Sequence, residues 1–172
     1  TLYFPGCHSS AFSLNFIENY QKILKKLNIE FDTLSDFMCC GGILDETGYE
    51  KQFRTSARKN MDFFKSKSTK KIITSCAMCF KVFSKDYSQM LPDWDIQVEP
   101  IVISILNKLN ADKSHIKAIF YEPVIYLDYC YLGRYSGIYQ EPRDILSLLG
   151  YKLIEMPHNK EEATCDGSCG NL

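Results

Sequence analysis

The side chains here that could do chemistry are thiols, and their spacing is uneven. The eight cysteines are Cys7, the adjacent pair Cys39 and Cys40, Cys76 and Cys79 in a Cys-x-x-Cys step, and Cys130, Cys165 and Cys169. Neighbouring cysteines seldom bond to each other, and Gly41 and Gly42, which follow the pair, add no packing. Two thiols at one point of a bare backbone suit ligation of one polynuclear centre. Glycine tolerates positive φ and has no Cβ, so the chain can bend there and approach the centre closely, with its N–H groups turned to sulfur.

Competing readings of the thiols are weaker. The even count permits disulfides, but the composition is that of an ordinary globular domain, and small disulfide scaffolds are denser in cysteine. A tetrahedral zinc uses four ligands, one fewer than the five thiols of the first half. Zinc fits the second half better: Cys130, Cys165 and Cys169 lack a fourth donor, and His158 in "PHNK" is either that donor or a solvated loop residue.

Other polar residues rank below the thiols. His8, beside Cys7, either serves the site with a proton or faces water. His115 reads as solvated. Arg134 and Arg143 either orient an anionic substrate or pair with Asp128, Asp144 or Glu141. Ser75 has no base in sequence reach and reads as a helix cap.

Bulk properties narrow the field. Net charge is −1 and the pI is near 6.3, with no basic block, so nucleic acid is not an expected partner. No apolar run approaches the ~18 residues of a membrane span. The chain opens "TLYFPGC" with no charged leader, which makes the cytoplasm the expected compartment.

Positioning these residues falls to alternating strands and helices. "TLYF", "IEFDTL", "KIITS", "IQVE", "VIYLD" and "YKLIEM" read as strands, with "VIYLD" buried. Helices are predicted from Ala11 to Leu27, over the face Tyr49, Phe53, Ala57, Met61 and Phe64, from Cys76 onward, over "IVISILNKLN", and over "SGIYQEPRDILSLLG" closed by Gly150. Such alternation argues an α/β fold with mostly parallel sheets. Cys7, Cys39, Cys40, Cys76, Cys130 and Cys165 then fall past strand ends. The carboxyl ends of parallel strands line one edge, where ligand sites gather. "YFPGCHSS" and "YLDYCYLG", followed by "CCGG" and "CDGSCG", suggest a duplicated unit: 31 residues separate Cys7 from Cys39, and 34 separate Cys130 from Cys165. The expected lobes are 1–110 and 117–172, each Rossmann-like and joined near 108–116.

The run Cys7, Cys39-Cys40, Cys76-x-x-Cys79 resembles the cysteine-rich "CCG" domain found in one of the heterodisulfide reductase subunits and in its relatives. Those relatives include iron–sulfur subunits of glycolate, lactate and glycerol-3-phosphate dehydrogenases and of a succinate dehydrogenase or fumarate reductase. "YLDYCYLGRYSGIYQEPRDIL" and "EMPHNKEEATC" extend the resemblance over nearly the whole chain. In the second lobe the family's Cys-Cys-Gly is Cys165-Asp166-Gly167 with an extra Cys169, and no second Cys-x-x-Cys follows, so this lobe reads as altered and cut short. The resemblance implies a non-cubane [4Fe-4S] cluster on Cys7, Cys39, Cys40, Cys76 and Cys79, with Gly41 and Gly42 at the cofactor. It further implies disulfide reduction or electron transfer, other members of a redox complex as partners, and membrane association only through such a partner. Alternatives kept open are an electron relay for a flavin-linked dehydrogenase and a zinc-stabilised interaction module.

Overall fold

The computed structural model describes residues 1–34, 38–165 and 167. The chain divides into two compact units, 1–101 and 102–172, and each is described by itself.

The first unit is built on a four-stranded parallel sheet in the order β2-β1-β3-β4, formed by β1 (Leu2–Phe4), β2 (Asp32–Thr33), β3 (Lys71–Thr74) and β4 (Gln97–Pro100). Parallel strands covered on both faces read as continuous apolar runs. Leu2, Tyr3 and Phe4 are accordingly all buried, as are Ile72, Ile73 and Thr74. The crossovers are helical: α1 (Cys7–Phe12) and α2 (Leu14–Lys26), then α3 (Gly42–Glu46) and α4 (Glu50–Ser66), then α5 (Ala77–Lys81), a π-helical turn (Val82–Asp86) and α6 (Tyr87–Met90). On α4, Phe53, Ala57, Asn60 and Phe64 form one buried stripe at helical spacing. Phe4, Phe64, Phe83, Tyr87 and Trp94 pack mostly edge to face above it.

Two sequence expectations change here. The helix expected from Ala11 to Leu27 breaks at Ser13, where φ is −149°. Its first part begins four residues earlier, at Cys7, and the Ser10 hydroxyl donates to the Gly6 carbonyl at 3.1 Å. Serines compete for backbone groups in this way and favour helix ends. The strand expected over "IEFDTL" shrinks to Asp32–Thr33, an exposed edge pairing on one side only, and a short edge is one way sheets avoid further pairing.

In the second unit α7 (Ile101–Ala111) leads through a 3₁₀ turn to β5 (Pro123–Val124), then α8 (Gln140–Leu148) and β6 (Lys152–Leu153). β5 and β6 pair in parallel. Gly150 closes α8 at φ +87°, as expected. "VIYLD" is not the buried strand predicted: β5 stops at Val124, and Ile125 and Leu127 are exposed. Among the described residues this sheet has two strands, so β5 lacks the neighbour that would extend its ladder. The molecule is α/β with parallel sheets throughout.

Candidate metal centre

The parallel register of the first sheet sets Phe4 level with Thr74 and Tyr3 level with Thr33, so the three strand ends open on one edge. Cys7 follows β1, Cys39 and Cys40 follow β2, and Cys76 follows β3 and leads into α5, which carries Cys79. Ser75 locks two of these loops together. Its hydroxyl meets the Tyr3 hydroxyl at 2.9 Å and donates to the Pro5 carbonyl at 3.3 Å. Ser75 is therefore a tie and not a cap; α5 is capped by Cys76, whose sulfur accepts the Cys79 N–H at 3.4 Å.

The five thiols of the first half form a chain of contacts. Cys7 hydrogen-bonds Cys39, Cys39 meets Cys40, and Cys79 meets both Cys40 and Cys76. The Cys79 thiol donates to Cys40 Sγ at 3.3 Å. Protons are shared unevenly along the chain. The Cys40 and Cys7 thiols, donating to Cys39, press its pKa down to about 2, and the Gly41 N–H at 3.4 Å assists. Cys76 is lowered too, by the Cys79 thiol and then by the N–H groups of Cys79 and Met78. The donors shift the other way: Cys7 is raised by its bond to Cys39, Cys40 by its bond to Cys39, and Cys79 by its bonds to Cys40 and Cys76 and by burial. Two of the five are thus poised as thiolates, the form that binds metal. Cys40 and Cys79 are buried, whereas Cys7, Cys39 and Cys76 are half-buried, so the row has a closed inner side and an open outer one.

The glycines divide their work unexpectedly. Gly41 has the positive φ predicted, +82°, and turns its N–H onto Cys39. Gly42 is glycine for packing: a Cβ there would lie 2.8 Å from Met78 Sδ and 3.0 Å from Val82 Cγ2. Sequence reasoning missed Gly6. At φ +88° and ψ 149°, it runs so close to the β3 loop that a Cβ would stand 2.7 Å from Cys76 Cβ. It missed Asn60 and Tyr87 as well, which bond the carbonyls of Cys39 and Cys40 from the core side.

An all-sulfur row of five, two already acidic, on a backbone pared to glycine, fits an iron–sulfur cluster by the chemistry of its donors. It does not have the form of a mononuclear site. Among the described residues no group of three or more His, Cys, Asp or Glu side chains is placed to hold a single metal ion, and none of the described cysteines is in a disulfide.

The second group of thiols is sparser. Cys130 lies in the turn after β5, Cys165 is exposed, and Cys169 lies outside the described residues. Cys165 nonetheless copies a detail of Cys39: it accepts the N–H of the glycine two residues on, Gly167, at 3.4 Å, and that glycine has φ +73°. His158 is solvated, 3.8 Å from Glu162. His8 is exposed, and His115 lies 3.7 Å from Asp112.

Both arginines are structural. Arg134 donates to the Ala163 carbonyl at 2.6 Å. Arg143 is 4% exposed; it grips Asp128 with two bonds of 2.7 Å and Glu155 with bonds of 2.6 and 2.9 Å. Asp128 in turn accepts the Lys160 N–H at 2.7 Å, tying the segment before Cys130 to the segment before Cys165. Lysine cannot reproduce a fork gripping two carboxylates. Arg143→Lys is expected to cost roughly 1.5–3 kcal/mol in chemical denaturation of the full chain; an unchanged midpoint would contradict this role. The Arg143 guanidinium, aided by the Lys160 N–H, holds the Asp128 carboxyl below the usual carboxylate range. Its stabilisation is therefore complete above about pH 4 and fades as pH falls through the depressed native value.

Comparison with known proteins gives concordant matches. The cysteine-rich domain family designated CCG matches residues 1–84 and 124–171. One subunit of the dihydromethanophenazine:CoB–CoM heterodisulfide reductase of Methanosarcina barkeri is 31% identical over 99% of this chain and 43% of its own length. An EtfAB:quinone oxidoreductase of Syntrophomonas wolfei is 28% identical over 98% of the chain and 24% of its own, and a probable iron–sulfur-binding oxidoreductase of Bacillus subtilis is 28% identical over 90% and 22%. The chain spans less than half the length of these relatives. No solved structure matches. Among the described residues no helix is long and apolar enough to cross a membrane.

Proposed function

The chain belongs to the cysteine-rich CCG domain family, and on that premise we propose that its first unit holds an iron–sulfur cluster, a non-cubane [4Fe-4S] centre on Cys7, Cys39, Cys40, Cys76 and Cys79. It serves an oxidoreductase of heterodisulfide reductase type. The observation that carries this reading is the unbroken row of five thiol contacts at one sheet edge. Relatives named as a heterodisulfide reductase subunit and as an iron–sulfur oxidoreductase point the same way.

When bound, such a group supplies electrons one at a time. The chain's own residues do the rest. Cys40 and Cys79 anchor from the buried side and keep water from it. Gly41 and Gly42 turn their N–H groups to the sulfurs of Cys39 and Cys40. Cys7, Cys39 and Cys76 leave the outer side open, where a disulfide substrate or a partner subunit has access. A second reading, electron relay for a flavin-linked dehydrogenase, is favoured by the EtfAB:quinone oxidoreductase relative. In either case the partners are other members of a redox complex, through which the protein meets any membrane. The matching geometry at Cys39 and Cys165 supports reading the second unit as a reduced copy of the first, with Cys130, Cys165 and Cys169 as a second metal site, for zinc or for iron.

Anaerobic reconstitution with iron and sulfide tests the proposal. The protein should turn brown, bind about four irons per chain and give an EPR signal on oxidation or reduction. A colourless protein with stoichiometric zinc would leave only the interaction-module reading.

A further inference from the structure

Asn60 and Tyr87 sit behind the cysteine pair and hold both of its carbonyls. Asn60 is 6% exposed, and its Nδ2 donates to the Cys39 carbonyl at 2.8 Å and to the Tyr87 hydroxyl oxygen at 2.8 Å. Tyr87 is fully buried, and its hydroxyl donates to the Cys40 carbonyl at 2.8 Å. The donor count closes: the amide nitrogen has two protons and the hydroxyl one, and each is used once.

Peptide geometry carries this contact to the sulfurs. The chain has no cis bonds among the described residues, and in a trans peptide the C=O and the next N–H point in opposite directions. Drawing the Cys40 carbonyl toward the core therefore turns the Gly41 N–H outward, where it meets Cys39 Sγ at 3.4 Å. Asn60, Tyr87, the Cys40–Gly41 peptide and Cys39 Sγ form one line of hydrogen bonds, each polarising the next.

The helix is shaped for this contact. Cys79 and Tyr87 are eight residues apart, which at about 100° per residue would leave them about 80° apart around a regular helix. The π turn Val82–Asp86 lies between them, and a π turn takes up one extra residue. Cys79 and Tyr87 thus return to one face, and both reach Cys40.

We propose that Tyr87, supported by Asn60, is a positioning residue that sets the reduction potential of the five-thiolate centre through the Cys40–Gly41 peptide. The proposal rests on the cluster assignment above. Hydrogen bonds to sulfur stabilise the more negative, reduced state and raise the potential.

Tyr87→Phe tests it, because the ring contacts with Phe53, Phe83 and Trp94 survive and only the hydroxyl goes. Exposed Tyr49→Phe is the control. In the reduced, metal-free full chain, the Gly41 amide should exchange about tenfold faster in Tyr87→Phe, as expected for one weakened hydrogen bond. After reconstitution, iron content should match wild type while the potential falls by about 59 mV, a tenfold change for one electron. The control should move neither. An unchanged Gly41 exchange rate, or an unchanged potential at equal iron, overturns the proposal. Wild-type protein that binds no iron overturns the cluster assignment instead, and the exchange rate then decides by itself whether Tyr87 orients the peptide.

Discussion

Cys40→Ser is expected to leave the reconstituted protein nearly colourless, with less than roughly a tenth of the wild-type iron. Cys40 is 2% exposed and joins the two halves of the thiol row, touching Cys39 on one side and Cys79 on the other. A serine hydroxyl there is hard and poorly ionised where a soft thiolate is required. Cys39→Ser should fail equally: adjacent side chains leave the backbone in different directions, so neither thiol can stand in for the other. Cys165→Ser and Cys169→Ser should keep the centre, since Cys165 is exposed and belongs to the other unit and Cys169 lies with it in sequence. Iron per chain and visible absorbance after anaerobic reconstitution decide the matter, with circular dichroism as a check that each variant folds. Full iron in Cys40→Ser, or a loss in Cys165→Ser equal to that in Cys39→Ser, would sink the assignment of one five-thiolate centre to the first unit.

What the sequence reveals here, and what it conceals, follows from the range of each interaction. The strands at Leu2–Phe4 and Lys71–Thr74 are legible because burial on both faces demands unbroken apolar runs. The five thiols are legible because ligands past strand ends serve no packing need. Gly6 is not, although "PGC" places it beside a thiol. Its necessity comes from β1 lying next to β3, a neighbour 70 residues away in sequence that no local pattern discloses. Asn60 does leave a trace: it is a polar residue in the stripe Phe53, Ala57, Asn60, Phe64, and a polar group on a buried face needs a partner. Tyr87 is masked by the π turn, since regular helical counting places it off the face of Cys79. "VIYLD" misled for a different reason. An apolar run signals burial only if the sheet has neighbours to provide it, and β5 pairs with β6 alone among the described residues.

Gly6→Ala should damage the centre although it removes no ligand. Two costs combine. At φ +88° and ψ 149°, Gly6 occupies a region essentially restricted to glycine, and forcing a side chain there costs about 1–3 kcal/mol. The new methyl would also stand 2.7 Å from Cys76 Cβ and 3.4 Å from Cys76 Sγ, against a loop already tied by Ser75 to Pro5. Overpacking of this kind costs roughly another 1–3 kcal/mol. Relief can come only by separating the β1 loop from the β3 loop, and that pulls Cys7 away from Cys76. Gly48→Ala isolates the backbone term: Gly48 has φ +81°, and a Cβ there meets nothing within 4 Å. It should cost about 1–2 kcal/mol and leave iron uptake intact. Gly41→Val lies between them, with φ +82° and a Cβ 3.0 Å from the Phe53 ring; it should lose iron because a β-branched side chain resists the bend that aims the Gly41 N–H at Cys39. Urea denaturation of the metal-free chains and iron content after reconstitution separate the three. Should Gly6→Ala behave as Gly48→Ala does in both measurements, the close approach of the two loops at Gly6 plays no part in building the site.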